Sequence, residues 1–86
     1  MFDWDDGNTD HIVNHDVTPE EAEEALTDRH RVGMSVYNAG NERRWGVIGA
    51  TEDGRILAIV YTKRSGLTRV IMARNANQAE RRRYEK

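Results

Sequence analysis

Ile56-Leu57-Ala58-Ile59-Val60-Tyr61 is the longest apolar stretch in the chain, and its reading decides the fold. Six residues are too few to cross a membrane and too few for a typical helix, but they suit a strand. The run does not alternate with polar residues, so both of its faces need cover. That predicts an interior strand of a sheet. Immediately before it, Asp53-Gly54 supplies the backbone freedom of a tight hairpin, which implies an antiparallel partner running near Arg43 to Thr51. Immediately after it, Ser65-Gly66 turns the chain into a further strand, Leu67 to Arg74. Further out, Asn38-Ala39-Gly40-Asn41 is turn chemistry. Before that turn, Val32, Met34 and Val36 alternate with Gly33, Ser35 and Tyr37, the period of a half-buried strand. The centre of the chain therefore reads as a four-stranded antiparallel meander.

Helical signals flank it. Thr18-Pro19-Glu20-Glu21 places an N-cap threonine, a proline at the first helical position and a glutamate three residues after the cap. Val17 and Ala22 stand where a hydrophobic staple would join them, and Ala22, Ala25 and Leu26 form a single apolar stripe. Earlier, Phe2-Asp3-Trp4-Asp5 is a short extended piece. Gly7 to Asp16, with Ile12 and Val13 as its apolar residues, is a weaker helix capped by Asp5 or Asp6. At the far end Asn77 with Glu80 opens a helix that finishes in Arg81-Arg82-Arg83-Tyr84-Glu85-Lys86. The expected class is α+β: two N-terminal helices, a four-stranded antiparallel sheet and a C-terminal helix, as one domain over residues 1–86.

Charge is distributed unevenly. Residues 1–28 hold ten acids and no Lys or Arg; residues 29–86 hold five acids and all thirteen Lys and Arg. A basic surface for phosphates beside an acidic segment is one reading, and mutual neutralisation within one fold is the other. There is no cysteine, which excludes disulfides and thiolate metal sites. With neither an apolar leader nor a long apolar run, the chain is expected in the cytoplasm, away from membranes.

No Gly-rich phosphate loop, nucleophile elbow or zinc-protease motif is present. His11 and His15 would share a helix face, but only Asp10 or Asp16 could complete a metal set. We therefore expect no metal and no cofactor, with His15 the more plausible titrating group near neutral pH. The cations are more informative. Arg69 and Arg74 lie toward the ends of the last strand, Arg55 opens the central one and Lys63-Arg64 closes it. Neighbouring strands could gather several onto one face, as a phosphodiester transition state requires, with a tyrosine from an adjoining helix as general acid or stacking platform. The competing reading is a solvated rim of ordinary salt bridges. Arg81, Arg82 and Arg83 point about 100° apart on a helix, so at most one of them fits a site.

Taken in order, three segments carry a resemblance over almost the whole chain: WDDGNTDHIVNHDVTPEEAEEAL, ERRWGVIGATEDGRILAIVYTKR and RVIMARNANQAERRRYEK. They are similar to the BrnT family, in a variant with Gly7-Asn8-Thr9-Asp10-His11-Ile12-Val13-Asn14-His15 in the first helix. The resemblance implies a RelE-like fold and metal-independent RNA cleavage. It also implies a tight complex with a BrnA-like DNA-binding antitoxin, through which alone operator DNA would be contacted. On that basis Arg74 and Arg55 are candidates to stabilise the pentavalent phosphorane, Tyr84 and His15 to move protons, and Arg43, Arg44 and Arg64 to track the RNA backbone. The alternative from another class is a non-catalytic binding module that acts only in complex with the antitoxin.

Overall fold

The computed structural model describes residues 1–85. Its elements are α1 (Asp6–Val13), α2 (Pro19–Leu26), β1 (Val32–Ala39), β2 (Glu42–Ala50), β3 (Ile56–Arg64), β4 (Leu67–Asn75) and α3 (Gln78–Glu85). The strands form one antiparallel sheet in the order β1-β2-β3-β4. As the unbroken apolar run requires, β3 is interior, and Ile56 through Val60 are all buried.

Each helix begins where its cap places it. Asp5 accepts from the Asn8 backbone N–H while the Asn8 side chain accepts from the Asp5 N–H. Thr18 and Glu21 make the same reciprocal pair at α2, and Asn77 and Glu80 make it at α3. Each box satisfies two backbone donors that the helix leaves without partners. Val17 and Ala22 are both fully buried in one cluster, as a staple demands.

Alternation along the strands gives the sheet two different faces. Leu57, Ile59, Val47, Val70 and Ala73 meet Ile12, Val17, Ala22 and Ala25 of the α1–α2 layer. Gly49 is where α2 comes closest: a β-carbon there would lie 2.9 Å from the Ala25 carbonyl carbon. On the other face Ile48 and Ile56 pack with Ala76, Met34 and Tyr84 beneath α3. α3 itself has no buried residue, so polar contacts hold it more than apolar ones. The N-terminal segment covers the start of β4: Asp3 N–H donates to Thr68 O at 2.8 Å, and Thr68 N–H to Met1 O at 2.7 Å.

One expectation is corrected. Val32, Met34 and Val36 do not share a buried face, because a bulge between Gly33 and Ser35 shifts the register. Met34 stays with the α3-side cluster, whereas Val36 is turned to the opposite side and is 54% exposed.

Candidate functional site

Two polar clusters occupy the α3 side of the sheet. At the end nearest α3, Arg74 closes β4 and donates from Nη1 and Nη2 to the two carboxylate oxygens of Glu80, at 2.8 and 2.9 Å. The Arg74 hydrogen bond holds Glu80 below the ordinary carboxylate range, against the opposing effect of burial. One helical turn later on the same face, the Tyr84 hydroxyl donates to Asp28 Oδ2 at 2.5 Å. That bond, reinforced by burial, pushes the phenol up to about 12. Burial pushes Asp28 up, but donors from Tyr84, His30 N–H and Ala50 N–H outweigh it and leave its carboxyl below the usual value.

At the hairpin end of the same face, Glu42 lies between two guanidinium groups, accepting from Arg44 at 3.1 Å and pairing with Arg64 at 3.0 Å. Arg64 first, then Arg44, keeps the Glu42 carboxyl low. Arg69 is held by Asp5 at 2.9 Å and Asp3 at 3.5 Å. The two clusters do not converge on one atom. Arg74 is opposite Ala58 and Arg44 opposite Thr62, four residues along β3, or about 13 Å at ~3.3 Å per residue.

Other candidates lie elsewhere. Arg55 sits in the turn before β3, where Nη1 donates to Asp16 O at 2.6 Å and to Glu21 at 3.0 Å, and Nε donates to Asn75 Oδ1 at 2.8 Å. It therefore ties α2 to the start of β3. Asn75 is its one link to Arg74, whose Nη1 also donates to the Asn75 carbonyl. His15 is exposed in the turn after α1, its ring 5.8 Å from that of His11 and without a side-chain hydrogen bond among the described residues. Arg43 alternates away from Arg44, onto the side that carries Trp45. The structure thus ties Arg74 to α3 through Glu80, one helical turn before Tyr84, and brings Arg44 and Arg64 together on Glu42. It does not join His15 or Arg43 to either pair, and Arg55 reaches Arg74 only through Asn75.

A family model described as a ribonuclease toxin, BrnT, of type II toxin–antitoxin systems matches residues 4–80. The chain belongs to the BrnT toxin family. No curated protein matches it. A BrnT-type toxin of a type II system has RNA as substrate and an antitoxin as partner. Among the described residues no helix is long and apolar enough to cross a membrane, and no three His, Asp or Glu side chains cluster as metal ligands would.

Sequence reasoning missed the anions of these clusters: Glu42 and Glu80, which face arginines, and Asp28, which faces Tyr84. Glu80 carried a signal, since a glutamate three residues after a capping Asn is placed over the helix start. Asp28 carried none, because its three donors come from α3, from β2 and from its own loop. The acidic helix α2 chiefly leans on its own protein: Glu21 binds Arg55, Glu23 accepts from the Trp4 indole at 2.7 Å, and Glu24 accepts from the Glu52 N–H.

Proposed function

We propose that this chain is a metal-independent endoribonuclease toxin of the cytoplasm, neutralised by a cognate BrnA-like antitoxin that also makes the operator DNA contacts. Its catalytic pair is Arg74 and Tyr84. One observation carries this reading: the Arg74 fork is already aligned on a bidentate oxyanion, the Glu80 carboxylate, with a phenol on the same short helix. Arginine binds phosphate oxygens with the same fork geometry. RNA would exchange one oxyanion for another, and Arg74 would then stabilise charge that grows on the phosphoryl oxygens as the 2′-hydroxyl attacks.

Tyr84 is the general acid. A phenol raised to about 12 keeps its proton at neutral pH and can deliver it to the departing 5′-oxygen. The 2′-hydroxyl proton goes to solvent water, because His15 stands apart from Arg74 and Tyr84. Arg55 acts by position, holding the strand ends that carry Asn75 and Arg74. Arg44 and Arg64 take phosphates on one side of the scissile bond, and Arg43 takes one on the other side of the sheet.

The test is a cleavage assay on single-stranded RNA with folded variants. Arg74→Ala or Tyr84→Phe should lower kcat by about 10²–10³ and leave affinity for uncleavable RNA nearly unchanged. Added chelator should leave the parent rate intact. Parallel losses of rate and affinity would reduce the pair to an electrostatic surface and favour the non-catalytic module.

A further inference from the structure

The cations of this protein fall into two groups. Arg44, Arg55, Arg64, Arg69 and Arg74 are each ion-paired with a carboxylate. Among the described residues Arg29, Arg31, Arg43, Lys63, Arg81, Arg82 and Arg83 have no such partner. The first four of these gather on the α2 side of the sheet, around an aromatic pair. Trp45 and Tyr61 are directly opposed on β2 and β3, their rings 5.7 Å apart and inclined by only 19°. They line a groove of about 420 Å³ whose other walls include Arg29, Arg31 and Val36. One step further along the same strands and on the same face stand Arg43 and Lys63; among the described residues the Lys63 ammonium donates only to Thr68 Oγ1.

We propose that this groove is a second RNA subsite, in which Trp45 and Tyr61 stack the bases of a single strand while Arg29, Arg31, Arg43 and Lys63 hold its phosphates. The inference rests on the ribonuclease reading and adds to it a place for the nucleotides beside the scissile bond. An aromatic floor with cations at both ends is how sequence-tolerant single-strand binding is built, since every base has a π-face. An acidic peptide would also be drawn to the cations. It would need apolar anchor pockets, however, and here the one exposed aliphatic wall is Val36.

The groove is joined to the proposed catalytic pair through a single loop. Asp28 accepts the Tyr84 hydroxyl, and the next residue, Arg29, is already a groove wall; Arg31 follows, its guanidinium donating to Asp28 O. A strand with its scissile phosphate at Arg74 and Tyr84 therefore crosses the Asp28–Arg31 loop and descends onto Trp45. The bulge at Gly33 turns Val36 toward the groove, where it forms a wall beside Trp45. The helix side thus contributes affinity and spacing, and the α3 side contributes chemistry.

The experiment uses Trp4→Phe protein, in which Trp45 is the sole indole, and a short 2′-O-methyl oligonucleotide that cannot be cleaved. Binding should quench Trp45 emission. Trp45→Ala should weaken binding about 5- to 150-fold, the range for loss of one stacked base, with Trp45→Phe largely restoring it. Arg31→Ala, at an exposed position, should reduce the salt slope by about one. In cleavage, Trp45→Ala should raise KM with kcat held. The proposal is overturned by an oligonucleotide that binds without quenching, by unchanged affinity in folded Trp45→Ala and Arg31→Ala, or by quenching with polyglutamate and not with the oligonucleotide. If Arg74→Ala abolishes cleavage while KM ignores Trp45, the groove fails and the ribonuclease stands. If the parent cleaves no RNA but stacks the oligonucleotide, the groove stands and the catalytic reading fails.

Discussion

Replacing Gly49 with alanine tests whether the close crossing of α2 over β2 sets the stability of the sheet that carries both sites. The added methyl would stand 2.9 Å from the Ala25 carbonyl carbon and 3.3 Å from its Cα, and closer still to its oxygen. Carbon atoms pack best at about 3.5–4.0 Å, so the helix has to retreat by roughly 0.6–1.1 Å or more. The atoms in the way are backbone, and no rotamer change can clear them. Retreat would lift Ala22 and Ala25, both fully buried, away from Val47 and Leu57. Overpacking of this kind costs about 1–3 kcal/mol, and a rigid backbone neighbour puts the cost at about 3. A chain of this length is stable by only about 4–13 kcal/mol in total. At roughly 4–8 °C per kcal/mol, the melting temperature should drop by about 12–24 °C. Thermal and urea unfolding followed by circular dichroism measure it. Gly33→Ala is the control, since nothing lies within 4 Å of a β-carbon there, and it should shift stability by less than ~0.5 kcal/mol. A Gly49→Ala protein melting within about 3 °C of its parent would refute the close-crossing argument.

The remaining predictions concern charge and buried polarity. Asn8→Ala removes donors to Asp3 O and Val70 O at a buried position and should cost about 2–3 kcal/mol in urea unfolding; a change under ~0.5 would show that water replaces it. Arg55→Met should loosen α2 by about 1–2 kcal/mol while cleavage falls less than tenfold, whereas a loss near 10³ in a folded variant would return Arg55 to the phosphate. Asp5, Glu21, Asp28, Glu42 and Glu80 are all held below their ordinary values of 3.8 or 4.5. Their stabilisation is complete above those values and is lost as pH falls through the depressed ones, so acid unfolding should set in below about pH 4. Tyr84 has the opposite sign: its bond to Asp28 is fully stabilising below the ordinary phenol value of 10 and is lost as pH rises toward about 12. Ultraviolet titration of Tyr84→Phe against the parent should remove one phenol titrating near 12, and loss of an earlier one would contradict the Asp28 contact.

Much of the fold was legible because its causes are local. The Thr18–Glu21 and Asn77–Glu80 boxes, the Asp53-Gly54 turn and the unbroken Ile56–Tyr61 run act within a few residues. Caps, a turn and the interior strand therefore follow from neighbouring atoms. The same turn could have led to the groove, since once Ala50 is set opposite Ile56, antiparallel counting puts Trp45 opposite Tyr61. What the sequence could not determine was which side of the sheet each side chain serves and which acid answers which arginine. The bulge at Gly33 reverses the side on which Val36 lies, and alternation read across it fails. Arg43 and Arg44 are neighbours in the chain yet emerge on opposite faces. Arg74 meets Glu80 only because α3 folds back over the end of β4, and Asp28 meets Tyr84 across 56 residues. Helix caps and turns are closed by bonds between near neighbours, so a sequence specifies them directly. Pairings among distant charges are fixed only when the packing of α1, α2 and α3 on the sheet decides which side chains share a few ångströms of space.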